Sequence, residues 1–271
     1  MYDIRCTNHM KILVLIKQVP DTTDVKIDPV TNTLKREGVQ SVINPFDVYA
    51  IEEALRVRER MGKGEVIVVT MGPPQAMEAL REAISMGCDR AVLLSDRKFA
   101  GSDTWVTSYT LSQAIKKIGD YKLIFCGKQA SDGDTAQVGP GVSTHLDIPQ
   151  VTYVKKIDKI TDKNAVVFRM TEEGYDVIDV PLPAVITVVK EINEPRLPSL
   201  KGKMKAKKTE IPVWNAEDIS CDCSKIGLDG SPTRVVKIFT PQQREGGRVL
   251  GGEPDEAAKE LVALLKDVVI G

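Results

Sequence analysis

Residues 11–17 read KILVLIK, an uninterrupted apolar run of strand length with a lysine at each end. A strand that helices cover on both faces has this composition, whereas a strand with one wet face alternates apolar and polar residues. Three further runs follow along the chain, EVIVVTM at 65–71, AVLL at 91–94 and KLIFC at 122–126. Amphipathic helical patterns separate them, at 47–61, 75–86 and 104–118. The alternation predicts an α/β fold with a doubly wound, mostly parallel sheet.

The first helical pattern follows the sequence NPFD at residues 44–47. We expect Asp47 to cap this helix, because an aspartate side chain accepts hydrogen bonds from the first N–H groups of a helix. The periodicity places apolar side chains such as Ile51 on the buried face. It places Glu52 and Glu53 on the opposite face, which we expect to be solvated.

The pattern changes after residue 150, where short strands follow one another closely. Residues 165–169 and 175–179 predict an antiparallel β-hairpin that turns at Glu173-Gly174. Beyond residue 195 the periodicity is lost, and lysines and prolines predict a long connector. A final amphipathic helix is predicted from about Pro254 to Val269, with a stripe formed by Leu261, Leu264, Leu265 and Val268.

These patterns divide the chain into three parts. Residues 1–10 are predicted to be an N-terminal extension, residues 11–232 an α/β domain and residues 233–271 an extended C-terminal arm. The polar segment 242–248 is unsuited to a core, so we expect the arm to dock on another protein. Covering each apolar side chain of its helix would stabilise that association by roughly 1.5–3 kcal/mol.

The composition argues against several classes of protein. The 271 residues include 37 Lys and Arg and 38 Asp and Glu, a formal net charge of -1, which does not favour a nucleic-acid partner. No apolar run approaches the roughly 20 residues of a membrane-spanning helix, and residues 1–10 lack the apolar core of a secretory signal. Five scattered cysteines predict reduced thiols in the cytoplasm, and Cys221 and Cys223 lack the partners of a zinc site.

The most informative segment is GKQASDGDTAQVGPG, residues 127–141, at the carboxyl end of the fourth apolar run. Ligands of open α/β sheets bind at this edge, where small residues let backbone N–H groups approach phosphate oxygens beside a helix N-terminus. We expect Gly133 to need a positive φ and Asp134 or Thr135 to cap the next helix. A solvent-facing turn whose aspartates only cap is equally compatible with these residues.

Two other residues, Asn44 and Met71, can contribute to the same ligand site as this loop. A nucleotide-binding interpretation uses the Asn44 amide as a contact for adenine or ribose. Met71, at the end of the second strand, is expected to face the same crevice.

Other nucleotide motifs and catalytic sets are missing from the sequence. No G-x-G-x-x-G follows the first strand, which disfavours a typical dinucleotide-binding domain, and no Walker A sequence occurs. Asp132 and Asp134 lack the third ligand or the histidine that a metal site or acid–base pair would need. His145, beside Leu146, is expected to pack rather than to react. We therefore predict no catalytic residue and no metal ligand.

Taken together, these segments resemble the beta subunit of electron-transfer flavoproteins along nearly all of the chain from Met10 onward. The resemblance is carried by separated blocks in the right order: KILVLIKQV (11–19), NPF (44–46), TMGP (70–73), GKQASDGDTAQ (127–137), PAVIT (183–187) and NEPRLPSL (193–200) with its lysine-rich sequel.

The resemblance implies that residues 11–232 form an adenine-nucleotide-binding (Rossmann-like) domain and that residues 233–271 dock on an alpha subunit, which carries an FAD. In that family the beta subunit holds FAD in the electron-bifurcating branch and AMP otherwise. Residues 19–22 and 132–140 resemble the bifurcating branch. The nucleotide-binding positions of the family fall here on Leu15, Asn44, Pro45, Phe46, Asp47, Met71, Gly127, Lys128, Gln129, Ala130, Ser131, Asp132, Gly133, Asp134, Thr135, Ala136, Gln137 and Val138.

For the bifurcating branch the resemblance implies NADH as the electron donor and ferredoxin as one acceptor. The second acceptor, reached through the alpha-subunit FAD, is an acyl-CoA dehydrogenase-like protein. The chain is then no enzyme alone but one subunit of an NADH-dependent flavin oxidoreductase complex. Two alternatives stay open: an AMP-holding structural subunit of a non-bifurcating one-electron carrier, and a stand-alone nucleotide-binding protein.

Overall fold

The computed structural model describes residues 10–21, 41–236 and 249–269. The chain divides into two compact units, Met1–Val236 and Lys237–Gly271. Nearly all of the predicted N-terminal extension, residues 1–9, lies outside the described ranges. Met10, its last residue, is buried in the core of the first unit.

Eleven strands and six α-helices make up the described part of the first unit. The strands are β1 (Lys11–Leu15), β2 (Gln18–Pro20), β3 (Ser41–Ile43), β4 (Glu65–Met71), β5 (Arg90–Leu94), β6 (Tyr121–Gly127), β7 (Gln150–Ile160), β8 (Asn164–Met170), β9 (Tyr175–Pro181), β10 (Ala184–Val188) and β11 (Val213–Trp214). The helices are α1 (Pro45–Met61), α2 (Met77–Met86), α3 (Thr104–Ile118), α4 (Val138–Leu146), α5 (Leu200–Lys208) and α6 (Gly227–Gly230). Short 3₁₀ turns lie at Pro74–Ala76, Arg97–Phe99, Lys190–Ile192 and Cys223–Lys225.

Nine of these strands form one sheet in the order β11-β5-β4-β1-β6-β10-β7-β8-β9. Every neighbouring pair from β11 to β7 is parallel, while β7–β8 and β8–β9 are antiparallel. Strands β2 and β3 pair separately as an antiparallel ribbon. The predicted α/β class with a mostly parallel sheet is therefore confirmed.

Strand β1 lies between β4 and β6, and this central place accounts for its apolar sequence. Ile12 and Val14 belong to one hydrophobic cluster, which includes residues of α1 and α2. Leu13 and Leu15 belong to a second cluster, which includes residues of α3 and α4. Helices thus cover both faces of the sheet, and burying each of these side chains contributes roughly 1.5–3 kcal/mol.

The predicted hairpin is confirmed by the pairing of β8 with β9. Its turn is closed by the Thr171 N–H, which donates to the Gly174 carbonyl at 3.1 Å, and by the Thr171 hydroxyl, which accepts from the Gly174 N–H at 3.1 Å. Strand β10 does not belong to this hairpin. It lies between β6 and β7 and extends the parallel part of the sheet.

The prediction of a long connector after residue 195 is wrong for the lysine-rich stretch. Residues 200–208 form α5, which Ser199 caps by accepting from the Gly202 N–H at 2.9 Å. Gly202 lets α5 approach α2 closely, because a Cβ there would lie 2.0 Å from the Ser85 carbonyl oxygen. The Lys205 ammonium also donates to the Cys88 carbonyl at 3.0 Å. Tertiary contacts of this kind leave no periodic trace in the sequence.

The predicted solvated face of α1 is also wrong, because Glu52 and Glu53 are only 2% and 4% exposed. Both oxygens of Glu52 accept from the Arg196 guanidinium, at 2.7 and 3.2 Å. Burial opposes ionisation of Glu52, but the hydrogen bonds from Arg196 and Arg56 outweigh it and lower its pKa. Burial raises the pKa of Glu53, although Asn193 donates to it and Arg60 pairs with it.

In the second unit, helix α7 spans Pro254–Val269, and the predicted terminal helix is confirmed. Leu261, Leu264 and Leu265 are each a little under half exposed. The side chain of Val268, the fourth member of the predicted stripe, lies outside the described residues.

We expect Arg196→Met to lower the free energy of unfolding by about 2–3 kcal/mol, because it leaves the buried Glu52 carboxylate short of its main partner. The loss is less than the roughly 3–5 kcal/mol of a fully buried pair, since Arg56 still reaches Glu52. Lys63→Met is the matched control. Lys63 pairs with Asp162 where both side chains are exposed, and such a pair contributes about 0–1 kcal/mol. Urea denaturation of both variants measures the difference, and equal losses would contradict this account.

Candidate functional site

The candidate site lies where strands β1 and β6 end. The chain continues from β1 to β4 and β5 on one side and to β6 and β10 on the other, so the strand order reverses between β1 and β6. In open α/β sheets such a reversal leaves a crevice at the carboxyl ends of the strands, where ligands bind. The segments that follow the two strands are residues 16–17 and 128–137.

Asn44 fastens the loop after β6 to the start of α1. This residue is buried, and its amide group donates to the Gln129 carbonyl at 2.8 Å and accepts from the Ser131 N–H at 3.0 Å. Its backbone N–H donates to the Lys17 carbonyl at 2.8 Å. The side chain that the sequence suggested as a contact for adenine or ribose thus bonds to the loop and shapes it.

The sequence predicted that Asp47 caps α1, and this prediction is wrong. The helix begins at Pro45, with Asn44 at the N-cap position, so Asp47 lies inside the first turn. One carboxylate oxygen accepts from the Lys17 N–H at 2.7 Å, and the other accepts from the Gly127 N–H at 2.9 Å. The carboxylate therefore joins the ends of β1 and β6. Burial raises its pKa to about 7, although these hydrogen bonds act in the opposite direction.

Glycine is required at position 127 by this close approach to α1. A Cβ there would lie 2.5 Å from the Phe46 Cβ and 2.6 Å from an Asp47 carboxylate oxygen. Gly133 differs, since a Cβ there would meet nothing within 4 Å. The expectation of a positive φ at Gly133 is wrong; Asp134 and Ala136 have that conformation, with φ of 48° and 54°.

The loop between β6 and α4 is held by its own side chains and by Lys17. The Lys17 ammonium pairs with Asp132 at 2.5 Å, and the Gln129 amide donates to Asp134 at 2.6 Å. The Ala130 carbonyl accepts from the N–H groups of Gly133 and Asp134. Residues 131–135 remain exposed to solvent.

Neither Asp134 nor Thr135 caps α4, which corrects the second capping prediction. The helix begins at Val138, and Gln137 at the N-cap position makes no side-chain cap bond. The Gln137 side chain instead accepts from the Thr104 hydroxyl at 2.8 Å. The first N–H groups of α4 are thus left uncapped beside an exposed loop, an arrangement that suits a phosphate.

The other predicted site residues lie around this loop with different surroundings. Leu15 is buried in the second hydrophobic cluster, and the half-buried Met71 packs against the same cluster. Leu15 is the last residue of β1 and Met71 the last residue of β4, so both lie at the carboxyl ends of strands near the loop. Pro45 is exposed, and the Phe46 ring lies 5.0 Å from the Lys128 ammonium.

Two residues of the site region were missed in the sequence. Lys17 was counted only as the end of a strand, yet it contacts both Asp47 and Asp132. Tyr153 lies beside Lys128 because β7 runs next to β10, and its N–H donates to the Thr187 hydroxyl at 3.1 Å. No sequence signal for Tyr153 exists, since its place depends on strand order.

Other features of the described residues lie apart from this edge. His145 packs against Trp105 and Tyr109, with ring centroids 4.3 and 5.7 Å apart, as predicted. No group of three or more His, Cys, Asp or Glu in the described ranges could hold a metal ion. An open groove of about 340 Å³ lies beside the second half of α1, and its lining residues are Glu53, Arg56, Glu59, Arg60, Lys156, Ile157 and Ile192. Within the same ranges, no helix has the length and apolar character needed to cross a membrane.

Comparison with known proteins assigns the chain to one family. The electron transfer flavoprotein domain matches residues 31–219. The electron transfer flavoprotein subunit beta of Thermoanaerobacterium thermosaccharolyticum is 53% identical over 257 residues, which cover 94% of this chain and 98% of that protein. The chain belongs to the beta-subunit family of electron transfer flavoproteins. The resemblance seen in the sequence is thereby confirmed at the level of the family, and membership implies a part in flavin-dependent electron transfer.

Two further relatives have other names within this beta-subunit family. Subunit CarD of the caffeyl-CoA reductase–Etf complex of Acetobacterium woodii is 51% identical over 259 residues, 95% of this chain and 98% of that protein. Protein FixA of Sinorhizobium fredii is 49% identical over 243 residues, 87% of this chain and 85% of that protein. This beta subunit is thus similar over most of its length to family members named for different systems.

Asp47→Asn is expected to change how the stability of this beta subunit depends on pH. The ordinary pKa of the aspartate is 3.8, and burial raises it to about 7 in the folded chain. Between these values the folded chain keeps a proton that the unfolded chain releases, so Asp47 lowers stability as pH rises. The free energy of unfolding of the variant minus that of the native chain should therefore increase from pH 4 to pH 7, by at most about 1.4 kcal/mol per pH unit.

Chemical denaturation at pH 5, 6, 7 and 8 measures this difference. Asp162→Asn serves as the control, because it makes the same change at an exposed aspartate. A difference for Asp47→Asn that changes with pH no more than that of the control would contradict a buried carboxylate that titrates near neutrality.

Proposed function

We propose that this chain is the FAD-binding beta subunit of a cytoplasmic, heterodimeric electron transfer flavoprotein. In this proposal the complex takes electrons from NADH and divides them between ferredoxin and, through the FAD of the alpha subunit, an acyl-CoA dehydrogenase-like partner. The observation that carries the proposal is the loop at the strand reversal, on a chain that is 51% identical to a subunit of a caffeyl-CoA reductase–Etf complex.

The residues of the loop fit the diphosphate of a dinucleotide. Residues 131–135 are exposed, α4 begins without a side-chain cap, and Gly127 allows close packing of the loop against α1. Backbone N–H groups at such a helix start favour phosphate oxygens. Asn44 and Asp47 fix the backbone from which those groups are presented. A bound flavin would supply the acceptance of hydride and the release of single electrons, while this chain would bind and orient it.

The second candidate is an AMP-holding subunit of a non-bifurcating carrier. The same features favour it, because the loop and the start of α4 suit any adenine nucleotide with a phosphate. The third candidate, a stand-alone nucleotide-binding protein, is disfavoured by relatives that are named as subunits.

Flavin stoichiometry of the purified heterodimer separates the first two candidates. We expect two FAD per heterodimer, and we expect NADH to bleach the visible flavin absorbance under anaerobic conditions. One FAD with one AMP, and no reduction by NADH, would instead establish the AMP-holding subunit. A chain that purifies without any alpha subunit or nucleotide would contradict both.

We also propose that the C-terminal arm docks on the alpha subunit. Within the second unit, Leu261, Leu264 and Leu265 are each partly exposed, and covering each side chain would contribute up to roughly 1.5–3 kcal/mol. The arm is best removed after Val236, because the N–H and hydroxyl of Thr233 both donate to Asp103 in the first unit.

The shortened chain should fold but no longer co-purify with the alpha subunit. Circular dichroism checks the fold, and a tag on the alpha subunit checks the association. Leu264→Asp in the full-length chain is the matched point variant and should weaken association in the same way. A shortened chain that unfolds, or one that still co-purifies in full, would contradict docking by the arm.

A further inference from the structure

The Lys128 ammonium group is a positive charge that the described residues leave unpaired at the candidate site. Lys128 is the first residue after β6, and its backbone N–H donates to the Val188 carbonyl at 2.9 Å. The two carboxylates of the loop are engaged elsewhere, Asp132 with Lys17 and Asp134 with Gln129. Within the described ranges Lys128 has no ion-pair partner, so its charge is available to a ligand.

Two aromatic rings hold this ammonium group in place. It lies 5.0 Å from the centre of the Phe46 ring and 5.7 Å from the centre of the Tyr153 ring. Both distances are within the roughly 6 Å of a cation–π interaction. Unlike a carboxylate, a ring orients a lysine without neutralising it, so the charge and the N–H donors stay available.

The backbone of Tyr153 adopts an uncommon conformation at this point. Its φ is 58°, a left-handed value that is rare for a bulky residue. The pairing of β7 with β10 shifts register between Ile186 and Val188, and the Tyr153 N–H donates to the hydroxyl of the buried Thr187. A regular strand would not need this irregularity, and strained conformations of this kind cluster at binding sites.

We propose that Tyr153 is a positioning residue that holds the Lys128 ammonium as the cationic contact for a nucleotide phosphate. The proposal rests on the proposed function, since it assigns a contact within the same nucleotide site. It adds a residue from β7, outside the loop at 127–138, to the machinery of that site. The ligand chemistry is the phosphate that AMP and FAD share.

The test uses the heterodimer after removal of its bound nucleotide, with calorimetric titration of AMP and of adenosine. Lys128→Met removes the charge. Tyr153→Asn removes the ring but tolerates a positive φ, and Tyr153→Phe keeps the ring. Lys155→Met is the matched control, because Lys155 lies 4.5 Å from the Tyr175 ring, a similar pair elsewhere on the hairpin.

We expect Lys128→Met to weaken AMP binding about ten- to a hundredfold, as for a lost hydrogen bond to a charged group, and to leave adenosine binding unchanged. Tyr153→Asn should weaken AMP binding about two- to fivefold. Tyr153→Phe and Lys155→Met should bind AMP as the native complex does. Added salt should shrink the difference between the native complex and Lys128→Met.

The outcomes separate this inference from the proposed function. Native AMP affinity in Lys128→Met, or equal losses of AMP and adenosine binding, would overturn the phosphate contact. Native affinity in Tyr153→Asn alongside a weakened Lys128→Met would overturn the positioning role of Tyr153. A native complex that binds neither AMP nor FAD would overturn the proposed nucleotide site itself, and the inference with it.

Discussion

The Asp47 carboxylate is the constraint on which the candidate site depends, at the carboxyl ends of β1 and β6. Its two oxygens accept from the N–H groups of Lys17 and Gly127, which end or follow the strands on either side of the reversal. A buried carboxylate is costly unless it is hydrogen-bonded, so the two strand ends are drawn to one point on α1. Gly127 follows from the same constraint, because any side chain there would collide with Phe46 and with Asp47 itself.

The parts of the fold that were predictable from the sequence are those set by local pattern. Strand β1 is apolar on both faces, and the turn at residues 171–174 contains the glycine that its hairpin uses. For α1, the burial of apolar residues such as Ile51 was predictable, but the burial of its acidic residues was not. Glu52 and Glu53 follow the pattern of a solvated face, yet the partner of Glu52 is Arg196, 144 residues further along the chain. Pairings over such separations depend on the tertiary fold.

The candidate site was also predictable only in part. The position of the loop at 127–138, at the end of a buried strand, could be predicted because small and polar residues follow an apolar run there. The roles within the loop could not. Asp134 has the residue type of a cap but bonds to Gln129, and Asn44 has the residue type of a ligand contact but bonds to the loop. Residue type gives the capacity to hydrogen-bond, whereas the partner depends on which backbone group the fold brings within about 3 Å.

Helix α1 supports two regions that are far apart in the sequence. Asn44 at its N-cap and Asp47 in its first turn set the loop, while Glu52 and Glu59 further along the helix hold Arg196. Arg196 in turn fixes the segment that leads into α5, where Leu197, Leu200 and Met204 are exposed. Hydrogen-bonded ion pairs fix direction as well as distance, which apolar contacts do not. The carboxylates of Glu52 and Glu59 therefore give the segment one orientation relative to α1, the helix that also carries Asp47.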